Sequence, residues 1–242
     1  MNASADEKAQ AELVAARKRA AAEAAVALVE DGMAVGLGTG STAFFAVEAL
    51  ARRVRGGLRV RAIPTSERTA RQARGGGITL TSFAECRRLD LTIDGADEIA
   101  REALGLIKGL GGALLREKIV AAASARLVII ADSSKLVDRL GTRTSVPVEV
   151  VTFGWETTAA RLDAIGVRPT PRLDAAKQLF RTDGGNLILD CAVGTMDDPA
   201  ALHAALKRIV GVIETGLFIG MAERAIIGGP DGARVLTRAP AA

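Results

Sequence analysis

Residues Met33 to Arg55 read MAVGLGTGSTAFFAVEALARRVR, and this stretch decides the fold. A short apolar run, Met33 to Leu37, has the length of a strand. It enters a glycine turn, and Ser41 to Arg55 follows with helical spacing that is predicted to bury Phe44, Val47, Leu50 or Ala51, and Val54. The alternation extends in both directions. Upstream, Asp6 to Asp31 carries Leu13, Ala20, Ala24 and Leu28 at helical spacing, with Gly32 as its stop. Downstream come a strand at Leu58–Ile63, a helix at Ser66–Arg74, and short strands at Ile78–Leu80 and Leu89–Ile93. A helix at Ala113–Ala125 and a wholly apolar strand at Leu127–Ala131 follow, the latter of the kind covered on both faces in a parallel sheet. Strand–helix repetition of this sort defines an α/β sheet with helices on both sides.

After Gly141 the pattern changes. Strands are expected at Val146–Val151, Val167–Arg172, Leu187–Cys191 and Val212–Ile219, with helices at Trp155–Ile165 and Pro199–Ile209. This reads as a smaller inserted α+β domain, 146–224, with 1–145 and 225–242 forming the main domain. The chain closes with Ala225–Ile227, a Pro230-Asp231-Gly232 turn and Arg234–Thr237.

Composition narrows the function. The 242 residues are 49% hydrophobic and 25% charged, ample for a sizeable core. Aromatics are only 3%, with no Tyr and one Trp, so the core is aliphatic and base stacking on aromatic side chains is disfavoured. The net charge of +4 is spread in short groups such as Arg17-Lys18-Arg19 and Arg87-Arg88, unlike a nucleic-acid-binding tail. Cys86 and Cys191 are far apart and read as buried free thiols of a reducing compartment. No apolar run is long enough to span a bilayer, and the N-terminal stretch lacks a signal-peptide core, so a cytoplasmic protein is expected.

Three segments could carry chemistry. In Gly36–Thr42 the glycines permit close backbone approach, the helix start offers free N–H groups to an anion, and Thr39, Ser41 and Thr42 add hydroxyls. No lysine completes a nucleotide-triphosphate loop, and Ser41 stands where a dinucleotide fingerprint wants its third glycine. A structural turn is one reading of Gly36–Thr42, with Gly40 as one of its three glycines; a phosphate or sugar-phosphate cradle fits better. Asp94-Gly95-Ala96-Asp97-Glu98 follows a buried strand, where open α/β sheets bind ligands. Its acids form either a solvated turn or a site with perturbed pKa values; carboxylates there would also suit Mg²⁺, while one His and no Cys cluster argue against zinc. The third segment, Lys108-Gly109-Leu110-Gly111-Gly112, opens onto another helix, in which spacing sets Leu115, Ile119 and Ala122 on one face and Glu117 on the other. Alone, Glu117 is a solvated surface acid; beside Lys108 and the Asp94–Asp97 turn it is a base lining a cleft. Lys135, after the Leu127–Ala131 strand, reaches the same edge or is an ordinary surface lysine. His203, mid-helix among Ala and Leu, reads as structural.

Together these segments resemble the type A ribose-5-phosphate isomerases. The resemblance rests on Gly36–Thr42, Asp94–Glu98, Lys108–Gly112, Arg116-Glu117-Lys118 and Ala131–Lys135, with Val146–Val150, Asp183-Gly184-Gly185-Asn186 and Gly228–Gly232 in agreement. It runs from about Lys18 to the last strand. It implies a Rossmann-like domain with a smaller inserted domain, usually in a homo-oligomer such as a homodimer. It also implies a metal-free, cofactor-free isomerase that interconverts ribose 5-phosphate and ribulose 5-phosphate. Carried over by motif, Glu117 is the proton acceptor, Asp94 and Lys108 assist it, and substrate contacts fall on Lys18, Thr39–Thr42, Asp94–Asp97, Lys108–Gly111 and Lys135. The Asp97–Lys108 segment is longer than the family pattern, and Leu110 replaces a glycine found in some relatives, leaving only its backbone for the ligand. Three other readings stay in view. These are a non-catalytic sugar-phosphate sensor, a nicotinamide oxidoreductase and an amino-sugar phosphate isomerase; the last needs a histidine better placed than His203.

Overall fold

The computed structural model describes residues 3–238. A first sheet of six strands has the order β14-β13-β6-β3-β1-β2, so the chain leaves β1 toward β2 on one side and returns to β3 on the other. Its strands are β1 (Ala34–Leu37), β2 (Arg61–Pro64), β3 (Leu91–Gly95), β6 (Leu127–Asp132), β13 (Arg224–Gly229) and β14 (Gly232–Thr237). All pairings are parallel except the closing β13–β14 hairpin. Every residue of β6 is buried, as its unbroken apolar sequence requires of a strand covered on both faces. The covering helices are α1 (Ala3–Val26), α2 (Ser41–Arg55), α3 (Glu67–Gly75) and α4 (Leu114–Ala122). Helix α1 lies directly on β13: a Cβ added to Gly228 would stand 1.8 Å from the Arg17 carbonyl oxygen, so only glycine admits the helix there.

A second, antiparallel sheet has the order β11-β8-β10-β9 and comprises β8 (Val146–Val150), β9 (Pro169–Pro171), β10 (Leu187–Cys191) and β11 (Val212–Thr215). Helices α5 (Trp155–Ala164) and α6 (Pro199–Lys207) accompany it, and Leu162 and Leu206 pack into its aliphatic core. Two of the shared motifs meet here, because buried Glu149 of β8 accepts from Asn186 Nδ2 at 2.9 Å and from Thr182 Oγ1 at 3.0 Å.

A third sheet was not legible in the sequence. It pairs β4 (Glu98–Ala100), β5 (Leu106–Ile107), β7 (Leu136–Val137) and β12 (Leu217–Phe218). The long Asp97–Lys108 segment thus forms an antiparallel strand pair. The single strand expected over Val212–Ile219 is two strands in two sheets, broken at Gly216, where a Cβ would stand 2.1 Å from the Lys108 carbonyl oxygen.

Other expectations shift for local reasons. Helix α1 ends at Val26 rather than Asp31, and Gly32 (φ +84°) turns the chain into β1, its N–H donating to the Arg59 carbonyl. Ile78–Leu80 contributes one bridge, Leu80 to Ala62. Phe44 is 47% exposed instead of buried, because α2 packs on Ala43, Ala46, Val47 and Leu50 and leaves Phe44 facing an open cavity.

Candidate active site

The site lies at the carboxyl edge of the first sheet, between β1 and β3, where the strand order reverses. Glycine brings the two strand ends together. A Cβ on Gly36 would fall 1.9 Å from Thr92 Oγ1, and one on Gly38 would fall 2.1 Å from Asp94 Oδ1. These two glycines therefore serve strand packing; Gly40 (φ +133°), with open space around it, is the one that shapes the turn for a ligand. The Thr39 N–H donates to Asp94 Oδ1 at 3.1 Å. Its hydroxyl is committed inward, donating to Ser66 Oγ at 2.8 Å, and Ser66 in turn reaches Thr69, which donates to the Gly38 carbonyl. Thr42 is buried, whereas Ser41 Oγ accepts from Lys18 Nζ at 2.9 Å. Helix α2 starts at Gly40 without a side-chain cap, which leaves its first N–H groups available to an anion.

Next to this loop stand Asp94, Lys108 and Glu117, each at most 3% exposed. Lys108 Nζ lies 3.1 Å from Asp94 Oδ2 and 3.3 Å from Glu117 Oε2, and donates to the Gly95 carbonyl at 2.6 Å. Neither carboxylate oxygen completes a hydrogen bond, although both are buried. Burial pushes the Glu117 carboxyl up to about 8, reinforced by the Asp94 charge and opposed by Lys108. Burial likewise raises Asp94, with Lys108 pulling against it. For Lys108, burial favours loss of the proton, but the surrounding carboxylates outweigh it and hold the ammonium above its ordinary value.

Glu117 corrects the helical reading. Helix α4 buries Leu114, Glu117, Val120 and Ala121, while Ile119 is 49% exposed and Ala122 faces solvent. Its neighbours hold the helix in that rotation. Arg116 reaches Glu67 at 2.9 Å and the Asp183 carbonyl at 3.2 Å, and Lys118 donates to the carbonyls of Thr215 and Leu217 on either side of Gly216.

The Lys108–Gly112 loop closes the site from the other side. Gly109 (φ +110°) and Gly112 (φ +80°) take left-handed conformations, and Phe180 lies so close to Gly112 that a Cβ would meet its ring at 2.4 Å. Asp97 Oδ2 accepts from the Leu110 N–H at 3.0 Å, and Arg172 donates to the carbonyls of Gly109 and Leu110. The Leu110 N–H and carbonyl, expected to face a ligand, thus both make hydrogen bonds within the chain. Gly111 lies across from Thr39: its Cβ position is 3.7 Å from Thr39 Cγ2.

The surroundings of the other expected residues differ. Gly95 contributes its carbonyl to Lys108, but the Ala96 side chain packs against the core around Ile99 and Phe218. Glu98, fully buried, turns away from the other acids and accepts from the N–H groups of Gly141, Arg143 and Thr144. Lys135 sits in a short 3-10 turn, Ser133–Lys135, at the same sheet edge, with no ion pair among the described residues. His203 Nδ1 is 2.8 Å from Thr215 Oγ1, and burial lowers its pKa. Sequence reasoning missed Thr65, Ser66, Thr69, Arg68 and Arg172. The Thr65-Ser66 pair before α3 is a helix-capping signal, and Ser66 Oγ does accept from the Thr69 N–H. Nothing local marks Arg172. Among the described residues no group of three or more His, Cys, Asp or Glu is placed to hold a metal ion, and no helix is long and apolar enough to cross a membrane.

Fold and site define an α/β protein whose acid–base cluster and anion-ready helix start share the switch point of a parallel sheet. The family model described as Ribose 5-phosphate isomerase A (phosphoriboisomerase A) matches residues 61–232, and the chain belongs to that family. It is 60% identical over 220 residues to the Ribose-5-phosphate isomerase A of Gloeobacter violaceus, covering 91% of this chain and 95% of the relative. The ribose 5-phosphate isomerase A structure from Methanocaldococcus jannaschii superposes with a TM-score of 0.88 at 37% identity, covering 92% of this chain and 98% of that one. A D-ribose-5-phosphate isomerase solved in complex with phospho-erythronic acid has a TM-score of 0.88 at 34% identity, with the same coverage of both chains.

Proposed function

We propose that this chain interconverts ribose 5-phosphate and ribulose 5-phosphate through an enediolate, with Glu117 as the base and without a metal. The observation that carries this reading is the buried contact of Lys108 with both Glu117 and Asp94. Aldose–ketose exchange moves one proton between adjacent carbons. Glu117 takes the C2 proton of the open aldose and returns it to C1, while the hydroxyl proton passes from O2 to O1, so that the ketose forms with no net gain or loss. A carboxylate held near 8 by burial is a competent base at neutral pH once ionised, and a competent acid for the return step. Lys108 stabilises the oxyanion of the enediolate from a fixed, dry position. The same ammonium occupies the space between the two carboxylates in which a cation would otherwise sit. Asp94 holds a sugar hydroxyl and assists ring opening, and Asp97 orders the Lys108–Gly112 loop through the Leu110 amide.

The phosphate rests on the start of α2 at Gly40–Thr42 with Lys18, and supplies binding energy remote from the reacting carbons. The complex of a relative with phospho-erythronic acid supports a sugar phosphate as substrate. We further propose that 146–224 forms a smaller domain beside a catalytic domain of 1–145 and 225–242, although the outermost of these residues lie beyond those described. The antiparallel sheet built wholly within 146–215 supports that division. A cytoplasmic homodimer completes the proposal, supported by two buried, unpaired cysteines for the compartment and testable by light scattering for the dimer.

The test is ketose formation from ribose 5-phosphate by EDTA-treated protein, with Glu117→Gln alongside. We expect turnover to survive chelation and the variant to lose roughly 10²–10⁴-fold in kcat with little change in affinity. Activity that requires an added divalent cation, or a fully active Glu117→Gln, would overturn the mechanism.

A further inference from the structure

The cavity in front of α2, about 1200 Å³, is lined by Lys18, Gly40 and Ser41, and also by Arg68 from the first turn of α3. We infer that Arg68 is a second cationic ligand of the substrate phosphate, a role that rests on the sugar-phosphate reading of this site. An exposed arginine on a helix is ordinarily a solvated surface group, and three observations separate Arg68 from that description.

The first is its reach. Arg68 Nη2 lies 3.9 Å from the Cβ position of Gly111, so the guanidinium spans from α3 to the Lys108–Gly112 loop and stands between the two glycine loops of the site. The second is selectivity along the helix. Arg71 and Arg74 share α3 with Arg68, and neither lines this cavity. The third is charge. Arg68 has no ion pair or side-chain hydrogen bond among the described residues, and the adjacent Glu67 is already held by Arg116 at 2.9 Å. Glu7 also faces the cavity, but Lys18 and Arg68 together outweigh it.

A phosphate monoester carries close to two negative charges at neutral pH. The α2 N-terminus supplies about half a positive charge and Lys18 one more, which leaves up to about half a charge of the ligand unmatched for Arg68 to neutralise. A guanidinium meets that need with a planar pair of donors matched to two phosphate oxygens, which an ammonium cannot reproduce.

The test measures KM and kcat for ribose 5-phosphate, and the inhibition constant of inorganic phosphate, in wild type, Arg68→Ala, Arg68→Lys and Arg71→Ala. We expect Arg68→Ala to raise both KM and the phosphate inhibition constant by roughly tenfold or more, with kcat changed less. Arg68→Lys should recover part of this loss and Arg71→Ala should match wild type. Unchanged KM and phosphate inhibition in Arg68→Ala would overturn the inference, as would a raised KM with unchanged phosphate inhibition, which would move the contact to the sugar. A wild-type chain that does not isomerise ribose 5-phosphate would sink the underlying reading instead. Calorimetric titration with inorganic phosphate alone would then decide the Arg68 contact: weaker binding by Arg68→Ala supports it and equal binding overturns it.

Discussion

Lys108 Nζ stands 3.3 Å from Glu117 Oε2, with the two side chains only 2% and 4% exposed, and the same ammonium lies 3.1 Å from Asp94. One positive charge therefore serves two buried carboxylates. Both cannot ionise without leaving a net negative charge in a poorly solvated place, so the cluster retains a proton that an exposed pair of acids would release. This shared deficit of positive charge makes the group useful for moving a proton back and forth.

The pH dependence follows. Glu117 is held at about 8 against an ordinary 4.5. Between those values the unfolded chain has released this proton and the folded chain keeps it, so stability from this group is complete below 4.5 and declines as pH rises toward 8. Urea unfolding at pH 5.5 and 8.5 should show that decline, and Glu117→Gln should flatten it. In kcat/KM of the free enzyme, a limb rising with pH toward about 8 is expected as the base ionises. Activity that holds constant from pH 5 to 9 would contradict the kinetic statement, and equal stability at pH 5.5 and 8.5 would contradict the first.

Removing the ammonium should harm folding as well as chemistry. Lys108→Met leaves Asp94 and Glu117 facing each other without a countercharge, at a cost of about 3–5 kcal/mol that protonation at low pH reduces. Denaturant midpoints at pH 5 and pH 8 test this, with the larger loss expected at pH 8.

Gly38 and Gly40 should separate packing from turn geometry. Gly38→Ala places a methyl group 2.1 Å from Asp94 Oδ1, and the displaced carboxylate should lower kcat by about 10²-fold. Gly40→Ala meets no atom within 4 Å but strains a φ of +133°, so a stability loss of about 1–3 kcal/mol and a raised KM are expected. Steady-state kinetics with thermal melts on both variants would show whether the two effects part in this way.

Glu98 belongs to the fold. Its carboxylate accepts from three backbone N–H groups of the segment that follows β7. Glu98→Ala should cost about 3 kcal/mol or more, while the folded fraction keeps nearly normal kcat. A variant of full stability with depressed kcat would place Glu98 back among the working acids.

Arg172 fixes the loop that carries Lys108. It binds the carbonyls of Gly109 and Leu110 while paired with Asp190, and its side chain is 12% exposed. Arg172→Ala should lower kcat more than it raises KM, because the loop loses its anchor and the phosphate cradle does not. Arg172→Lys should restore little, since one ammonium cannot span both carbonyls and the carboxylate. Equal activity of wild type and Arg172→Ala would refute this positioning role.

Much of the architecture was readable from the chain. The unbroken apolar run Leu127–Ala131 announced a doubly covered strand, and Ser41–Arg55 coincides with α2 because Gly40 before it and Gly56 after it bound a continuous helical pattern. The short strands β4, β5, β7 and β12 were not readable. Two or three residues carry no period, and their pairing is set by partners distant in sequence, such as Leu217 with Ile107. The family resemblance implied only that Lys18 lies near the phosphate; its contact with Ser41, the engaged backbone of Leu110 and the inward turn of Ala96 came from the structure.

The sequence by itself determined the alternation of strands and helices, the glycine turns at strand ends, and which segments carry acids and cations, because these depend on local periodicity and residue type. Only the tertiary structure decided which face of α4 is buried. Leu115 and Ile119 offer as apolar a stripe as Leu114 and Val120, and the choice fell to contacts from elsewhere: Arg116 on Glu67 and the Asp183 segment, Lys118 on the carbonyls around Gly216. That rotation carries Glu117 out of water and against Lys108. A surface acid by pattern becomes a buried acid by packing, since burying a carboxylate costs several kcal/mol unless a countercharge such as the Lys108 ammonium stands beside it.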